Sequence, residues 1–346
     1  MFASCLKLKE IDARNFDTRN VLTIGSMFSH CISLTSLDVS KFEFIGVTSI
    51  NQMFYNCSSL TSLDVSNFKT SKFSTFSNAY AYCKSIKYLD LSKFDISNAV
   101  NLESLFEGMA SLTSIDISHF RTSNVRTISR MFMNCESLVN IDLSNFDTKS
   151  LDTMNSLFRG CKNLENINFG DNFDTSKVKS FESLFQGCEK IKKLDLSLNT
   201  ELVKSMAYMF DSCFELTSLK INNFDTSRST DFSYMFKNCK TLENLNLSNF
   251  DTPQITKMDY MFSGCSSLID LDLSSFDTLQ VTTMIYLFDS CTGIRNLDIS
   301  SFKTTKCRKF TGIFNNIQNM TVIMNSTEAN NLKEEIKNIV NVIDIS

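Results

Sequence analysis

The residues of this chain whose types could do chemistry fall into columns. Cys5, Cys31, Cys57, Cys83, Cys135, Cys161, Cys188, Cys213, Cys239, Cys265 and Cys291 recur at almost constant spacing. If the fold stacked them, such thiols could cross-link neighbouring turns or hold a soft metal. Two positions point to packing instead. Met109 takes the column's place once, and Cys307 falls where Val47, Val125, Val203 and Val281 stand, so cysteine serves here as a small apolar side chain. All twelve are expected to be free thiols, most of them buried.

A second column is acidic: Asp12, Asp38, Asp64, Asp90, Asp116 and Asp142 share one place in the pattern. On adjacent strands about 4.8 Å apart, neighbouring carboxylates would repel by about 1 kcal/mol in water. Two accounts offset that. In one, solvent and an adjoining serine column, Ser40, Ser66, Ser92, Ser118 and Ser144, hydrogen-bond the charges. In the other, the strip recruits cations such as calcium, or a basic partner surface, and these six aspartates form the binding site. The strip weakens from Asn168 onward, and Lys220 and Asn246 interrupt it, so such a site belongs to the N-terminal half.

A third set, Asp17, Asp95, Asp147, Asp174, Asp225, Asp251 and Asp277, sits in turns and is followed by Thr in every case but Asp95. Capping of a following helical stretch accounts for it, since a calcium site wants several oxygens converging on one ion. For catalysis the inventory is poor. His30 and His119 lie in different columns more than three repeats apart, and neither has a nucleophile placed beside it. No dinucleotide or phosphate-cradling glycine motif occurs, so the expectation is a non-catalytic chain without a cofactor or resident metal.

What must position these columns is a repeat. The Met/Leu-Phe step at Met27, Met53, Met131, Met235 and Met261 returns every 26 residues, and about twelve such units fill the chain. Only two irregularities occur: one inserted residue at Asp171-Asn172, and a unit from Leu184 that is one residue short. In Leu60-x-x-Leu63-Asp64-Val65-Ser66 the alternation predicts a short strand with Leu63 and Val65 inward. The 3- and 4-residue offsets of Val47, Ile50, Met53, Phe54, Cys57 and Leu60 predict a short amphipathic helix or helical turns on the other side. One unit cannot bury its own apolar stripe, so units must stack. The expected fold class is an α/β repeat solenoid, a leucine-rich-repeat-like superhelix with one parallel sheet and short helices or helical turns opposite it. Residues 1–320 form the array, and residues 321–346 a capping strand and amphipathic helix with Leu332, Ile336, Ile339 and Val340 on one face.

The frame L-x-x-L-x-L matches the leucine-rich repeat. The fuller pattern in Met261-Phe262-Ser263-Gly264-Cys265-Ser266-Ser267-Leu268, continuing through Asp270-Leu271-Asp272-Leu273-Ser274-Ser275-Phe276-Asp277-Thr278, resembles the BspA-like leucine-rich-repeat surface protein family. That resemblance covers roughly residues 1–320. It implies a surface or secreted, often lipid-anchored protein that adheres to host extracellular or surface proteins or to other cells. One departure concerns the site where the generic repeat carries Asn or Cys: Phe68, Phe94, Phe120, Phe146, Phe250 and Phe276 stand there. Stacked phenylalanines are therefore expected in place of an asparagine ladder.

Composition narrows the partners. A net charge of -4 with interspersed signs leaves no basic block to track phosphates, so nucleic acid is not an expected partner. No apolar run reaches the ~20 residues of a membrane span, and no secretion signal opens the chain. Met1-Phe2 enters directly in repeat phase without a capping segment. Twelve strands would make a face about 60 Å long and about 15 Å wide, roughly 900 Å², comparable to one side of a standard interface. A protein partner is therefore the expected ligand, and a protein-binding or adhesion module the leading expectation. An intracellular scaffold whose ends self-associate is the alternative.

Overall fold

Within one repeat the sequence periodicity marks the buried face: Val47, Ile50, Met53, Phe54, Cys57, Leu60, Leu63 and Val65 are all buried, while Asp64 is exposed. The computed structural model describes residues 1–337 and 339–346. By contacts it divides into two compact units, Met1–Lys177 and Val178–Ser346. Each unit is a stack of equivalent coils, with residues about one repeat apart in register.

On the side read as short helices or helical turns, the described residues form no helix between the strands of the array. Among the described residues the only α-helix is α1, Asn330–Ile336, near the C-terminus. Residues 50–60 form chained tight turns. The amides of Met53, Tyr55 and Cys57 donate to the carbonyls three residues back, at 3.1 Å each, and the amides between them, on Gln52, Phe54 and Asn56, donate to Ser77, Ala79 and Ala81 of the next coil. Gln52 and Asn56 both have φ of 56°, a left-handed value that a right-handed helix excludes. Chained turns place apolar side chains inward at the same 3- and 4-residue offsets as a helix, which is why periodicity could not separate them. The alternation binds coil to coil as a ladder does. In the first unit it opens on the parallel bridges Ser49↔Thr75↔Asn101↔Thr127↔Thr153, and in the second on Ser180↔Ser205↔Asp231↔Lys257↔Thr283↔Lys309.

The strand side is correspondingly less regular than expected. Instead of one sheet the described residues form short parallel pairings: β1 (Asn140–Asp142) with β2 (Asn166–Asn168), β3 (Lys193–Asp195) with β4 (Ser218–Lys220), and β5 (Asn296–Asp298) with β6 (Thr321–Met324), which pairs in turn with β7 (Asn341–Asp344). All are parallel, and all but β6 with β7 are offset by about one repeat, Ile141 opposite Ile167 and Leu194 opposite Leu219, whereas Val322 of β6 lies opposite Val342 of β7, 20 residues on. The physical reason lies in the Asp-x-Ser segment. The Ser66 amide donates to Asp64 Oδ1 at 3.0 Å and not to the adjacent coil, so the ladder stops after a few residues.

The core is a set of side-chain columns. In the first unit Phe2, Phe28, Phe54, Tyr80, Phe106, Phe132 and Phe158 stack ring on ring, with successive centroids 5.5–6.2 Å apart. In the second, Phe185, Phe210, Phe236, Phe262, Phe288 and Phe314 do the same at 5.4–5.8 Å. Each buried ring contributes roughly 2–3 kcal/mol of apolar transfer, so the columns are a principal source of stability. The other phenylalanine column stacks at two of the expected steps, Phe68 on Phe94 at 6.5 Å and Phe250 on Phe276 at 6.2 Å.

The two irregular repeats are absorbed locally. At the insertion, Gly170 has φ of +66°, and a Cβ there would meet the Ser144 backbone at 2.5 Å, so glycine alone fits the close approach. In the short repeat Leu198, 2% exposed, stands between Ser197 and Asn199 where other repeats carry phenylalanine. At the C-terminus Leu332 and Ile336 of α1 are buried, and Val340 is buried just beyond it. Ile339 departs from the expected face: it lies past the helix end and is 44% exposed. Asn338, inside the expected cap, lies outside the described residues.

Candidate functional site

The acidic column sits on the strand side of the first unit, and all six members are exposed. Each follows an inward leucine or isoleucine, which orients its carboxylate to solvent. Ser40 and Ser66 donate both amide and hydroxyl to Oδ1 of Asp38 and Asp64, the hydroxyls at 2.6 and 2.7 Å, and Ser118 treats Asp116 in the same way. The Ser92 and Ser144 amides donate to Asp90 and Asp142 at 2.9 Å. Asp12 has no serine two residues on, and Arg14 replaces it with a two-pronged contact at 2.8 and 2.9 Å.

These donors favour the charged form. The Arg14 side chain lowers the Asp12 carboxyl to about 2, and the Ser40, Ser118 and Ser144 hydroxyls hold Asp38, Asp116 and Asp142 below the usual carboxylate range. Asp90 is lowered chiefly by the Ser92 amide. For Asp38, Asp64 and Asp116 the hydrogen bonds fall on Oδ1, leaving Oδ2 without a protein partner among the described residues. Asp12, Asp38 and Asp64 line one shallow depression of about 730 Å³ with Glu10, Arg14, Ser36 and Ser62.

The turn aspartates do not cap helices, because among the described residues no helix follows directly on any of them. Asp95, Asp174, Asp225 and Asp277 accept the amide two residues on at 2.8–3.0 Å, closing Asx-turns. The threonine two residues after the column phenylalanine carries a role that the sequence reading missed. Thr70, Thr122, Thr226, Thr252 and Thr278 are buried, and each hydroxyl donates at 2.7–3.1 Å to the turn carbonyl of the next coil. The Asp95, Asp277 and Lys303 amides return the bond to Thr70, Thr252 and Thr278. This threonine column ties the turns as an asparagine ladder would; its signal was the Thr that recurs two residues after Phe68, Phe120 and Phe276. Asparagines also contribute, from the exposed side: Asn67 and Asn145 donate to Ser40 and Ser118 carbonyls at 2.9 Å.

Nine column thiols, Cys31, Cys57, Cys83, Cys135, Cys161, Cys213, Cys239, Cys265 and Cys291, donate to a backbone carbonyl of the preceding coil, Cys57 to Phe28 at 3.0 Å and Cys265 to Phe236 at 3.0 Å. All twelve cysteines are free, and only Cys5 is not fully buried. Burial pushes Cys57 and Cys265 up to about 12, well above the range of a reactive thiol. Among the described residues no group of three or more His, Cys, Asp or Glu is placed to hold a metal, and no helix is long and apolar enough to cross a membrane. The two histidines are not brought together: His30 packs on Tyr55 beside Ser29, and His119 lies edge-on to Phe120.

A further column escaped the sequence reading although its spacing is regular. Tyr208, Tyr234, Tyr260 and Tyr286 stack on the turn side of the second unit, with ring centroids 4.4, 4.7 and 4.9 Å apart. The Lys237 ammonium lies 5.1 Å from the centroids of both Tyr234 and Tyr260.

Parallel coils built on an L-x-x-L-x-L frame, with solvent-facing polar columns and a packed interior, define a leucine-rich-repeat-like protein. The chain belongs to the family described as "Mycoplasma protein of unknown function, DUF285", which it matches over residues 1–88, 61–169, 162–269 and 241–342. No curated protein matches it. Among solved structures it is similar to a chain of the Drosophila Toll–Spatzle complex, at 17% identity, a TM-score of 0.34, and coverage of 86% of this chain and 38% of that one. A leucine-rich-repeat protein of Leptospira interrogans gives 14% identity, a TM-score of 0.25 and 96% coverage of both chains. The functional domain of InlJ from Listeria monocytogenes, which includes a cysteine ladder, gives 14%, 0.24, and 79% of this chain against 65% of that one.

Proposed function

We propose that this chain is a non-catalytic binding module whose first unit presents the aspartate column to a protein partner. The observation that carries this reading is the repetition itself. Asp12, Asp38, Asp64, Asp90, Asp116 and Asp142 stand in one exposed row, and local donors favour the charged form of Asp12, Asp38, Asp90, Asp116 and Asp142. With Oδ2 of Asp38, Asp64 and Asp116 left to solvent, the row can meet a basic surface or cations without first breaking its own hydrogen bonds. Its resemblance to BspA-like surface proteins supports adhesion at the cell surface or outside the cell, with a host extracellular or surface protein as partner. In the same reading residues 321–346 close the C-terminal end of the array.

The test is a pull-down of the purified chain against extracellular-matrix and surface proteins, with and without calcium, beside the triple variant Asp64→Asn, Asp90→Asn, Asp116→Asn. Loss of binding, or of its calcium dependence, in the variant is expected. If stability rises and binding is unchanged, the row is tolerated charge and the reading falls.

A further inference from the structure

Tyr88 is the odd member of its column. At the equivalent place in neighbouring coils stand Ser36, Ser62, Ser114 and Asn140, all exposed, so nothing in the core calls for a ring there. The alternation of burial through Tyr88, Leu89, Asp90, Leu91 and Ser92 puts Tyr88 and Asp90 on the same solvent-facing side. Tyr88 is 64% exposed, and among the described residues its ring stacks on no other ring and its hydroxyl makes no hydrogen bond. Flanked by serines, the ring rises above its surroundings with a face open to solvent. The stacked tyrosines of the second unit differ in this, because each covers its neighbour's face.

The ring stands inside the aspartate row. Asp90 lies two residues on, about 7 Å along the chain, and Asp64 and Asp116 follow one coil to either side of Asp90, about 4.8 Å away each. Oδ2 of Asp64 and of Asp116 has no protein partner, and no ion pair reaches Asp64, Asp90 or Asp116 among the described residues. Lys93 and His119 act on Asp90 through space, without a bond. An open ring face attracts a cation, and carboxylates at its rim complete the neutralisation. Of the two strongly cationic side chains, arginine matches both features. Its flat guanidinium lies on a ring while its fork of N–H donors reaches carboxylates beside it, whereas the lysine ammonium is a point charge. The row itself displays half of this pairing: in the same column Arg14 forks onto Asp12 at 2.8 and 2.9 Å.

On the reading of the aspartate row as a protein-binding face, we infer that Tyr88 is its anchor and takes an arginine side chain of the partner. The guanidinium stacks on the Tyr88 ring and donates to Asp90 and to Oδ2 of Asp64 or Asp116. Tyrosine and arginine are the side chains in which interface energy most often concentrates, and a single such pair fixes where along a repetitive row the partner sits.

The probe is a short fluorescent peptide of alternating arginine and serine, set beside the same peptide with citrulline, which keeps the shape without the charge, and with lysine. Binding to the full chain is measured at low salt, where exposed charges are least screened. Tyr88→Ser installs the residue found at Ser62 and Ser114 and is expected to weaken arginine-peptide binding about tenfold; Tyr88→Phe, which keeps the ring, should stay within about twofold of the parent. The lysine peptide should bind more weakly and lose less to Tyr88→Ser. Both changes fall on an exposed side chain, and an unchanged melting temperature checks that the fold is intact. Equal binding of the citrulline peptide, or indifference of arginine-peptide binding to Tyr88→Ser, overturns the inference. If in that second case the Asp64, Asp90 and Asp116 variant still abolishes binding, the aspartate reading stands without the tyrosine. If the arginine peptide does not bind at all, the inference falls, and the aspartate reading is judged by its own pull-down.

Discussion

At the residue scale the cysteines show most clearly how context sets chemistry. A thiol that ionises near 9 in the open chain is here buried, donates to a phenylalanine carbonyl, and for Cys57 and Cys265 is pushed up to about 12. The native protein should therefore resist thiol reagents at pH 8, with Cys5 alone reacting readily, while all twelve titrate after denaturation without reductant. A Ellman-type assay in native and denaturing buffer measures both, and fast native labelling of the column would refute the buried, hydrogen-bonded arrangement. The role of these residues was readable from Met109 and Cys307. Their hydrogen bonds to the preceding coil were not, because sequence spacing gives the column but not the acceptor.

At the scale of the element, the chain is held by turns more than by strands. The threonine column concentrates that: Thr70 is 1% exposed, donates to the Asp95 carbonyl at 2.9 Å and accepts the Asp95 amide at 2.8 Å. Replacing it by valine keeps the shape and leaves two backbone groups of the next coil unpaired. Thr70→Val should cost roughly 1–3 kcal/mol in urea unfolding, whereas a change confined to the exposed Lys69 should cost little. Apolar offsets disclosed which residues face inward, and hence the core. They misassigned the backbone between Ile50 and Leu60, since a helix and a chain of turns bury the same positions. Left-handed residues at Gln52 and Asn56 choose between them, and neither side chain announces that conformation as glycine would.

At the scale of the whole molecule, repetition multiplies small effects. The column thiols Cys31, Cys57, Cys83, Cys135, Cys161, Cys213, Cys239, Cys265 and Cys291 have folded-state values raised above the open-chain value of 9.0, so the stability they contribute is complete below pH 9 and, for Cys57 and Cys265, is lost as pH rises toward about 12. Because many coils carry the same thiol, the protein should lose stability steeply across that window. Melting temperature followed from pH 8 to 11 tests this, and a flat profile would contradict it. Asp12, Asp38, Asp90, Asp116 and Asp142 act in the opposite sense: their lowered values mean that their contribution persists at neutral pH and fades as the solution is acidified below the usual carboxylate range.

The sequence by itself determined the repeat, its register, the inward side chains, the exposed aspartate row and the column of thiols, because each of these depends only on which residues recur at a fixed interval. Tertiary structure alone decided what joins one coil to the next. Hydrogen bonds between coils form between residues some 26 apart, and nothing local to either partner names the other. That is why the threonine ties, the turn-side ladder, the short interrupted strands and the seat of Lys237 between two tyrosines emerged only when equivalent residues were brought face to face.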